Sequence, residues 1–558
     1  MSTRIVRNTR LWRKNPDGTG LVFVHRRGQP RFLHLNQEGM QIFGYSDGRT
    51  SEEIAQIWTN SEKIPLAQAR EETADFLAQI ESMEAITFGG PKYGRLSDEW
   101  ETAKEKVDVL LVIPPNPASS REEVPVPLGV LMLAASLRQA GYSVAVFDMF
   151  LNDLHPSHIE AAIRKYEPDL IGVSIITASA PSAYEIVEWV QRNDPGILLV
   201  AGGIHATNCP EDVLRHGFDV ATRHEGIETI VEVACCFVHQ KDRKGLFEIS
   251  GIAFLWRGEI LINKDRPLVK PADRLPFPAR DLIELNRYPQ KGAIMSSFGC
   301  NRRCKFCTVY QNPDMIYRAR CTGHVIGELQ GMQAMGIKTG NFVDDSFLLS
   351  SKRAGELCRA IIDSGIEMSL ACQSRVDDAC KSPATLELMV EAGFTAIEFG
   401  VESGNQEVLD WCGKGITLEQ ALLAVRLAKA AGFQRIGCGM ILGHPVDTKE
   451  TIEESIRFSK CLIEQGASNI ALAICTPFPG SDIALNAAEY GLKIRSRDWS
   501  RYNFREAVMD TLHLKAEELE EIYLDGLYRI HLALAKGGDG NDAQTEKGEG
   551  DEANSDEV

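Results

Sequence analysis

An α/β architecture built on two parallel sheets is predicted by three features of the sequence. Apolar runs of strand length alternate with helix-length stretches over residues 105–240, which predicts a doubly wound parallel sheet. The same alternation returns over 291–500 and predicts a partial (β/α)6 barrel. Ahead of both, residues 1–90 read as strand, strand, then helices, a smaller module of a different kind. A chain of 558 residues with 44% apolar content has room for three or four such domains with real cores.

In the first module, Leu21–His25 and Arg31–Leu35 alternate like strands around the turn Arg27-Gly28-Gln29-Pro30. Helices are expected from Ser51 to Trp58 and from Leu66 to Met83. In the second segment Val107–Ile113 is a continuous apolar strand, and Leu128–Ala140 is a helix closed by Gly141. Ser143–Phe147, Leu170–Ile176 and Ile197–Ala201 are the further strands. Turns at the carboxyl ends of such strands form a ligand crevice, and here they are rich in small and polar residues. Ser174, Thr177, Gly202, Gly203 and His205 stand in them.

A connector follows over 241–290, with a hairpin at Ile252–Trp256 and Glu259–Ile262 and an extended Pro276-Phe277-Pro278. After the barrel, 501–536 reads as a helical extension, clearest at Ala516–Tyr523. Residues 537–558 carry eight acidic side chains and one lysine with no apolar periodicity, so an acidic disordered tail is expected.

The densest chemistry lies at Cys300-Asn301-Arg302-Arg303-Cys304-Lys305-Phe306-Cys307. Three thiolates at this spacing can hold three irons of a [4Fe–4S] cluster and leave the fourth open to a ligand, whereas four cysteines would close it. Structural zinc takes four Cys or His ligands, and Cys321 lies fourteen residues beyond the array, outside the usual ribbon spacing. The apolar run Ala293–Gly299 before the array reads as a buried strand ending in a turn, where a (β/α) barrel places its chemistry.

This array, with its aromatic residue, resembles the radical S-adenosylmethionine (radical SAM) family. Downstream segments resemble the family's later motifs in order: Phe342–Phe347 with Asp344 and Asp345, Gln373–Asp377 with Arg375, Glu398–Asn405 with Glu402, and the last-strand turns around Gly443 and Pro477–Ser481. The resemblance implies that Cys300, Cys304 and Cys307 ligate the cluster. It implies that Phe306, Asp344, Asp345, Arg375, Glu402 and Gly443 form the SAM site. A zwitterionic methionyl group needs a carboxylate for its amine and a guanidinium for its carboxylate, and Arg supplies the latter in a bidentate fork. His444 stands where relatives more often carry Leu.

The 105–240 segment is similar to the cobalamin-binding domain that precedes many radical SAM cores. Small residues let a flat corrin approach the backbone, and hydroxyls can bond its amide fringe. The D-x-H-x-x-G signature of proteins that give cobalt a histidine is absent, since His158 stands where Gly belongs in Asp153–His158. No lower ligand is therefore nominated, and His205 alone suits a hydrogen-bonded turn. The Gly-Glu-Gly-Glu turn of relatives appears here as His224-Glu225-Gly226-Ile227-Glu228. Residues 1–90, with Phe32–Gly39 and Asp47–Thr50, resemble a PqqD-like domain. That likeness implies a winged-helix shape whose strand edge takes up the leader of a ribosomally made precursor peptide.

Together these readings lead to a cobalamin-dependent radical SAM enzyme that methylates an unactivated carbon of a precursor peptide, supplied with electrons by a donor. Alternatives are a cyclase or rearrangement enzyme acting on a small-molecule natural product, and a cluster-bearing peptide-binding or regulatory protein. A net charge of −18 argues against a nucleic-acid partner. No apolar run approaches a membrane span, and no secretory h-region is present. Fourteen cysteines, expected mostly reduced, suit the cytoplasm.

Overall fold

The structure is a computed structural model. It describes residues 104–116, 124–240, 242–309 and 317–538, and within the first hundred residues the strands and helices given below with Phe43, Leu96 and Trp100. Most of the expected acidic tail, 539–558, lies outside the described residues.

The chain divides into two units: Met1–Tyr93 with Glu517–Val558, and Gly94–Ala516. In the first unit β1 (Ile5–Arg7) pairs antiparallel with β5 (Ile86–Phe88). β2 (Trp12–Lys14), β3 (Gly20–Arg26) and β4 (Gln29–Leu35) form an antiparallel sheet in that order. Helices Ser51–Glu62 and Leu66–Ser82 follow, burying Ile54, Ala55, Ala69 and Leu77.

The second unit holds two larger sheets. The first has seven strands in the order β12-β11-β10-β9-β8-β6-β7. β6 (Val109–Ile113), β7 (Val144–Asp148), β8 (Leu170–Ser174), β9 (Leu198–Gly202) and β10 (Val220–Thr222) are parallel. Both faces are covered, by one apolar cluster around Leu110, Ile171 and Ile186 and another around Leu111, Val200 and Ile230. Near-continuous apolar strands are the sequence mark of a sheet buried on both faces.

The expected connector is corrected here. Its hairpin, β11 (Ile252–Trp256) and β12 (Glu259–Ile262), adds antiparallel to β10 and completes the first sheet. Ile252, Ala253 and Phe254 are all buried, so this hairpin gains a core by capping the open edge of β10.

The second sheet runs β13 (Ala293–Ile294), β16 (Thr339–Phe342), β17 (Ser369–Arg375), β18 (Phe394–Glu402), β19 (Arg435–Leu442), β20 (Asn469–Ile474), all parallel. Helices lie between successive strands, giving a six-stranded partial barrel. Leu370, Cys372, Ile397, Phe399, Ile436 and Cys438 are buried on the helix-covered face. The alternate residues Ala371, Gln373, Ala396, Glu398 and Gly437 line a hollow of about 720 Å³ that opens at the amino ends of the strands. A closed eight-stranded barrel fills this space with branched side chains. Here the inward residues are too small or too polar to do so. A Cβ at Gly437 would come within 2.7 Å of Glu398 Cγ, so this glycine makes room for the carboxylate.

Two further expectations are corrected. The run Ala293–Gly299 is not one strand. It breaks after Ile294, and β14 (Ser297–Phe298) leaves the barrel to pair antiparallel with β15 (Arg318–Ala319). Ser296 marks the break: its N–H and hydroxyl donate to Asp344, and its carbonyl accepts from Arg320 N and Arg353. The carboxy-terminal extension is helical only over Ala516–Gly538. Before it, Lys493–Ile494 pairs with Met509–Asp510, and the Asp510 carboxylate accepts from Ala516 N at 3.1 Å, where the helix begins.

Candidate active site: a thiol cavity and a glycine-lined slot

Cys300, Cys304 and Cys307 line one cavity of about 260 Å³ at the carboxyl ends of the barrel strands. Gly299, with φ +79°, turns the chain out of β14 into the array. Lys305 N–H donates to Cys412 O at 2.9 Å, tying the loop to the far wall. Burial pushes the thiols of Cys300 and Cys307 up, the latter to about 11, so iron must stabilise the thiolates that bind it. Among the described residues no three ligating side chains converge to hold one metal ion. Three thiols spread around one cavity fit a cluster with its irons distributed.

Five charged groups share this cavity: Arg302, Asp345, Arg375, Glu402 and Lys414. Asp345 follows β16, is anchored by Gly299 N–H at 2.8 Å, and has its carboxyl pushed up by burial against that hydrogen bond. Arg375 ends β17. Its Nε donates to Asp377 at 2.9 Å, one Nη to Lys414 O, and the other lies 3.8 Å from Cys304 Sγ. Asp377 also accepts from Arg302 at 3.2 Å, so one buried carboxylate orients two guanidinium groups.

Glu402 ends β18 in the left-handed region, φ +76°, just past a register shift against β19. Its carboxylate takes Lys414 Nζ at 2.6 Å. Gly400 is required beside them: a Cβ there would collide with Glu402 Oε1 and lie 2.7 Å from Lys414 Nζ. Phe306 lines the cavity, and its ring centroid stands 5.8 Å from that of His444.

Two of the expected SAM residues lie elsewhere. Asp344 is fully buried and bonded to the hydroxyls of Ser296 and Ser297, so it pins the strand break rather than facing the cavity. Gly443, φ +83°, donates its N–H to Asp447 at 3.0 Å in the turn after β19 and is not in the cavity wall. Lys414 was missed. Its only sequence signal is its place between Gly413 and Gly415, both at positive φ, a tight turn that presents one lysine.

In the first sheet, Ser174, Gly202 and Gly203 line a small slot of about 40 Å³ at the strand ends, over a floor that includes Leu111, Val130 and Ile230. Gly203 has φ +89°, and a Cβ would lie 2.7 Å from Ile175 O; one at Gly202 would lie 3.0 Å from Thr222 Oγ1. A mostly apolar slot edged by glycines, with the Ser174 and Thr222 side chains in its lining, leaves the backbone open to close approach. Thr177 and His205 are not in it. Thr177 is buried in the turn after β8. His205 points inward, 3.0 Å from Tyr184 OH and 3.4 Å from Asp212, with Trp499 edge-on at 5.1 Å. It belongs to a polar hub, not to a ligand surface.

Comparison with known proteins assigns a family to each of the two sheets. Residues 118–234 match the B12 binding domain and 294–459 the radical SAM superfamily. An uncharacterised methyltransferase of Pyrococcus horikoshii, PH0819, is 30% identical over 76% of this chain and 92% of its own length. An anaerobic magnesium-protoporphyrin IX monomethyl ester cyclase of Rubrivivax gelatinosus is 26% identical over 76% of this chain and 78% of its own. The radical SAM methyltransferase TsrM of Kitasatospora setae, solved with cobalamin and a [4Fe–4S] cluster, has the same fold: TM-score 0.59, 19% identity, 76% of this chain and 88% of that one. The chain belongs to the B12-binding radical SAM methyltransferase family. It is an enzyme, and its cofactors are a [4Fe–4S] cluster, SAM and cobalamin. No helix among the described residues is long and apolar enough to cross a membrane.

Proposed function

We propose that the enzyme methylates an unactivated carbon of a ribosomally made precursor peptide, in the cytoplasm and with an external electron donor. The observation that carries the reading is the sharing of one cavity by three thiols, a carboxylate, two guanidinium groups and a Glu–Lys pair. Cys300, Cys304 and Cys307 would hold the cluster. Asp345 would accept the methionyl amine of SAM, and Arg375, aimed by Asp377, would pair with its carboxylate. Glu402, braced by Lys414, would take the ribose hydroxyls. Ser174, Gly202 and Gly203 would admit a ring of cobalamin at the slot.

When bound, the cluster and SAM supply a radical able to take hydrogen from an unactivated carbon, and cobalamin carries the methyl group. The chain fixes position: Arg375, Glu402 and Lys414 are buried and already hydrogen-bonded, and Asp345 is held by the Gly299 N–H, so little reorganisation is needed. The peptide reading is supported by the PqqD-like pattern and by an antiparallel β2-β3-β4 sheet, whose edge strands suit strand addition.

A second reading, ring closure without methyl transfer, is favoured by the likeness to the R. gelatinosus cyclase over most of the chain. The test is the anaerobically reconstituted enzyme with SAM, cobalamin and a strong reductant, with and without a candidate peptide. Rising 5′-deoxyadenosine and S-adenosylhomocysteine together indicate radical methylation. 5′-Deoxyadenosine without S-adenosylhomocysteine indicates the second reading and sinks the first.

A further inference from the structure

Glu225 sits in the turn between β10 and helix Ile227–Ala234, immediately before Gly226, which lines the glycine slot. Its carboxylate does not face the slot. One oxygen accepts from Val269 N at 3.0 Å and from Arg318 Nη1 at 3.2 Å, and the other accepts from Arg318 Nη2. Arg318 Nη1 also donates to Val269 O at 2.6 Å. The guanidinium is therefore held in a fork by a carboxylate and a carbonyl, with its side chain 8% exposed.

Arg318 belongs to β15 and is paired across the hairpin with Phe298. It also covers the Phe298 ring, 5.4 Å from the centroid. Two residues after Phe298 comes Cys300. Phe298 and Ile227 pack against one small apolar cluster, Met132, Val269 and Leu275. One end of this clasp is thus next to the slot in the first sheet, and the other is two residues from the thiol array.

We propose that Glu225 and Arg318 are positioning residues that fix the spacing between cobalamin and the cluster. The inference rests on assigning the slot and the thiol cavity to those two cofactors. A clasp at this place holds two loops from different sheets in register at the points where each meets its cofactor. An exposed pair would be weak for this purpose, but a desolvated bidentate one resists sliding. In radical transfer between separately bound groups, a misplacement of about 1 Å can cost ~100-fold in rate.

The test uses the full-length holoenzyme and the variants E225Q, R318M and E225D. Iron and cobalt per chain are measured first. Cobalt(II) and the reduced cluster are then both paramagnetic, and the microwave-power saturation of the cobalt signal reads their proximity without substrate or turnover. E225Q and R318M are expected to keep both cofactors yet give a broadened, multicomponent saturation curve, while E225D stays close to the parent. With an active substrate, the ratio of S-adenosylhomocysteine to 5′-deoxyadenosine should fall about tenfold in E225Q, within the range misplacement allows. A saturation curve identical to the parent, with both cofactors retained, overturns the proposal. Loss of a cofactor in all three variants, E225D included, assigns the pair to folding and overturns it too. The saturation readout does not depend on which reaction the enzyme performs, so its result stands apart from the methylation reading.

Discussion

At Glu402 the backbone adopts φ +76°, a conformation that side-chain-bearing residues rarely take and that surrounding contacts must hold. Lys414 and Gly400 supply that support. Lys414→Met is expected to lower SAM affinity about tenfold with the cluster retained, as loss of an orienting partner commonly does; equilibrium dialysis alongside iron analysis checks it. Gly400→Ala should act in the same direction, because its Cβ takes the space of the ion pair. His444 carries a pH signature. Burial lowers its imidazole to about 4, so the folded chain refuses a proton that the unfolded chain accepts. Stability is then lost as pH falls from about 6.5 to about 4, by up to roughly 3 kcal/mol. His444→Leu removes this term. Its melting temperature relative to the parent should rise as pH drops from about 7.5 to about 5, and a constant difference would refute the assignment. The thiol array stood out by its spacing, and Asp345, Arg375 and Glu402 by their resemblance to family motifs; the fold brings all of them to one cavity. Asp344 was not, because adjacent carboxylates after a strand point to opposite sides, and only packing decides which faces the ligand.

Among the elements, β13 and the break that follows it are braced by a buried ionic cluster. Glu328, in helix Thr322–Ala334, accepts from Arg280 at 2.7 Å and Arg320 at 2.5 Å, all three buried. The two arginines also donate to the carbonyls of Ala293 and Met295 on either side of Ile294. Glu328→Ala would leave two buried guanidinium groups without their carboxylate, a loss of about 3–5 kcal/mol that a urea midpoint would register. Four parallel strands of the first sheet, β6 to β9, were readable to within a residue or two from their apolar runs, whereas the three-residue β10 was not expected. The partner of β10 was not readable. Nothing in Ile252–Trp256 distinguishes a free hairpin from one that joins a sheet edge, because alternation specifies a buried face and not its neighbour. The break at Ser296 was equally hidden: Ala293–Gly299 is mostly apolar, and the two serines in its middle are bonded to a distant aspartate that redirects it.

For the whole molecule, the thiol cavity and the glycine slot share no lining residue, so the two cofactor sites are expected to load independently. Cys304→Ala should lose iron and keep cobalt, and Gly203→Val, strained at φ +89°, should lose cobalt and keep iron; metal analysis of each purified variant decides. Turnover should require both. The two parallel sheets were legible as a change of rhythm along the chain, while their interlocking through Glu225–Arg318 and through Tyr288–Asp148 at 2.6 Å depends on residues far apart in sequence and carries no local sign. The hollow barrel has a consequence of its own. Interiors normally draw cohesion from atoms in contact across them, and here about 720 Å³ lacks such contacts. The barrel therefore draws its cohesion from its strand ladder and its helix-covered face, so truncating Leu370 or Phe399 to Ala should loosen β17 and β18 and speed their amide exchange.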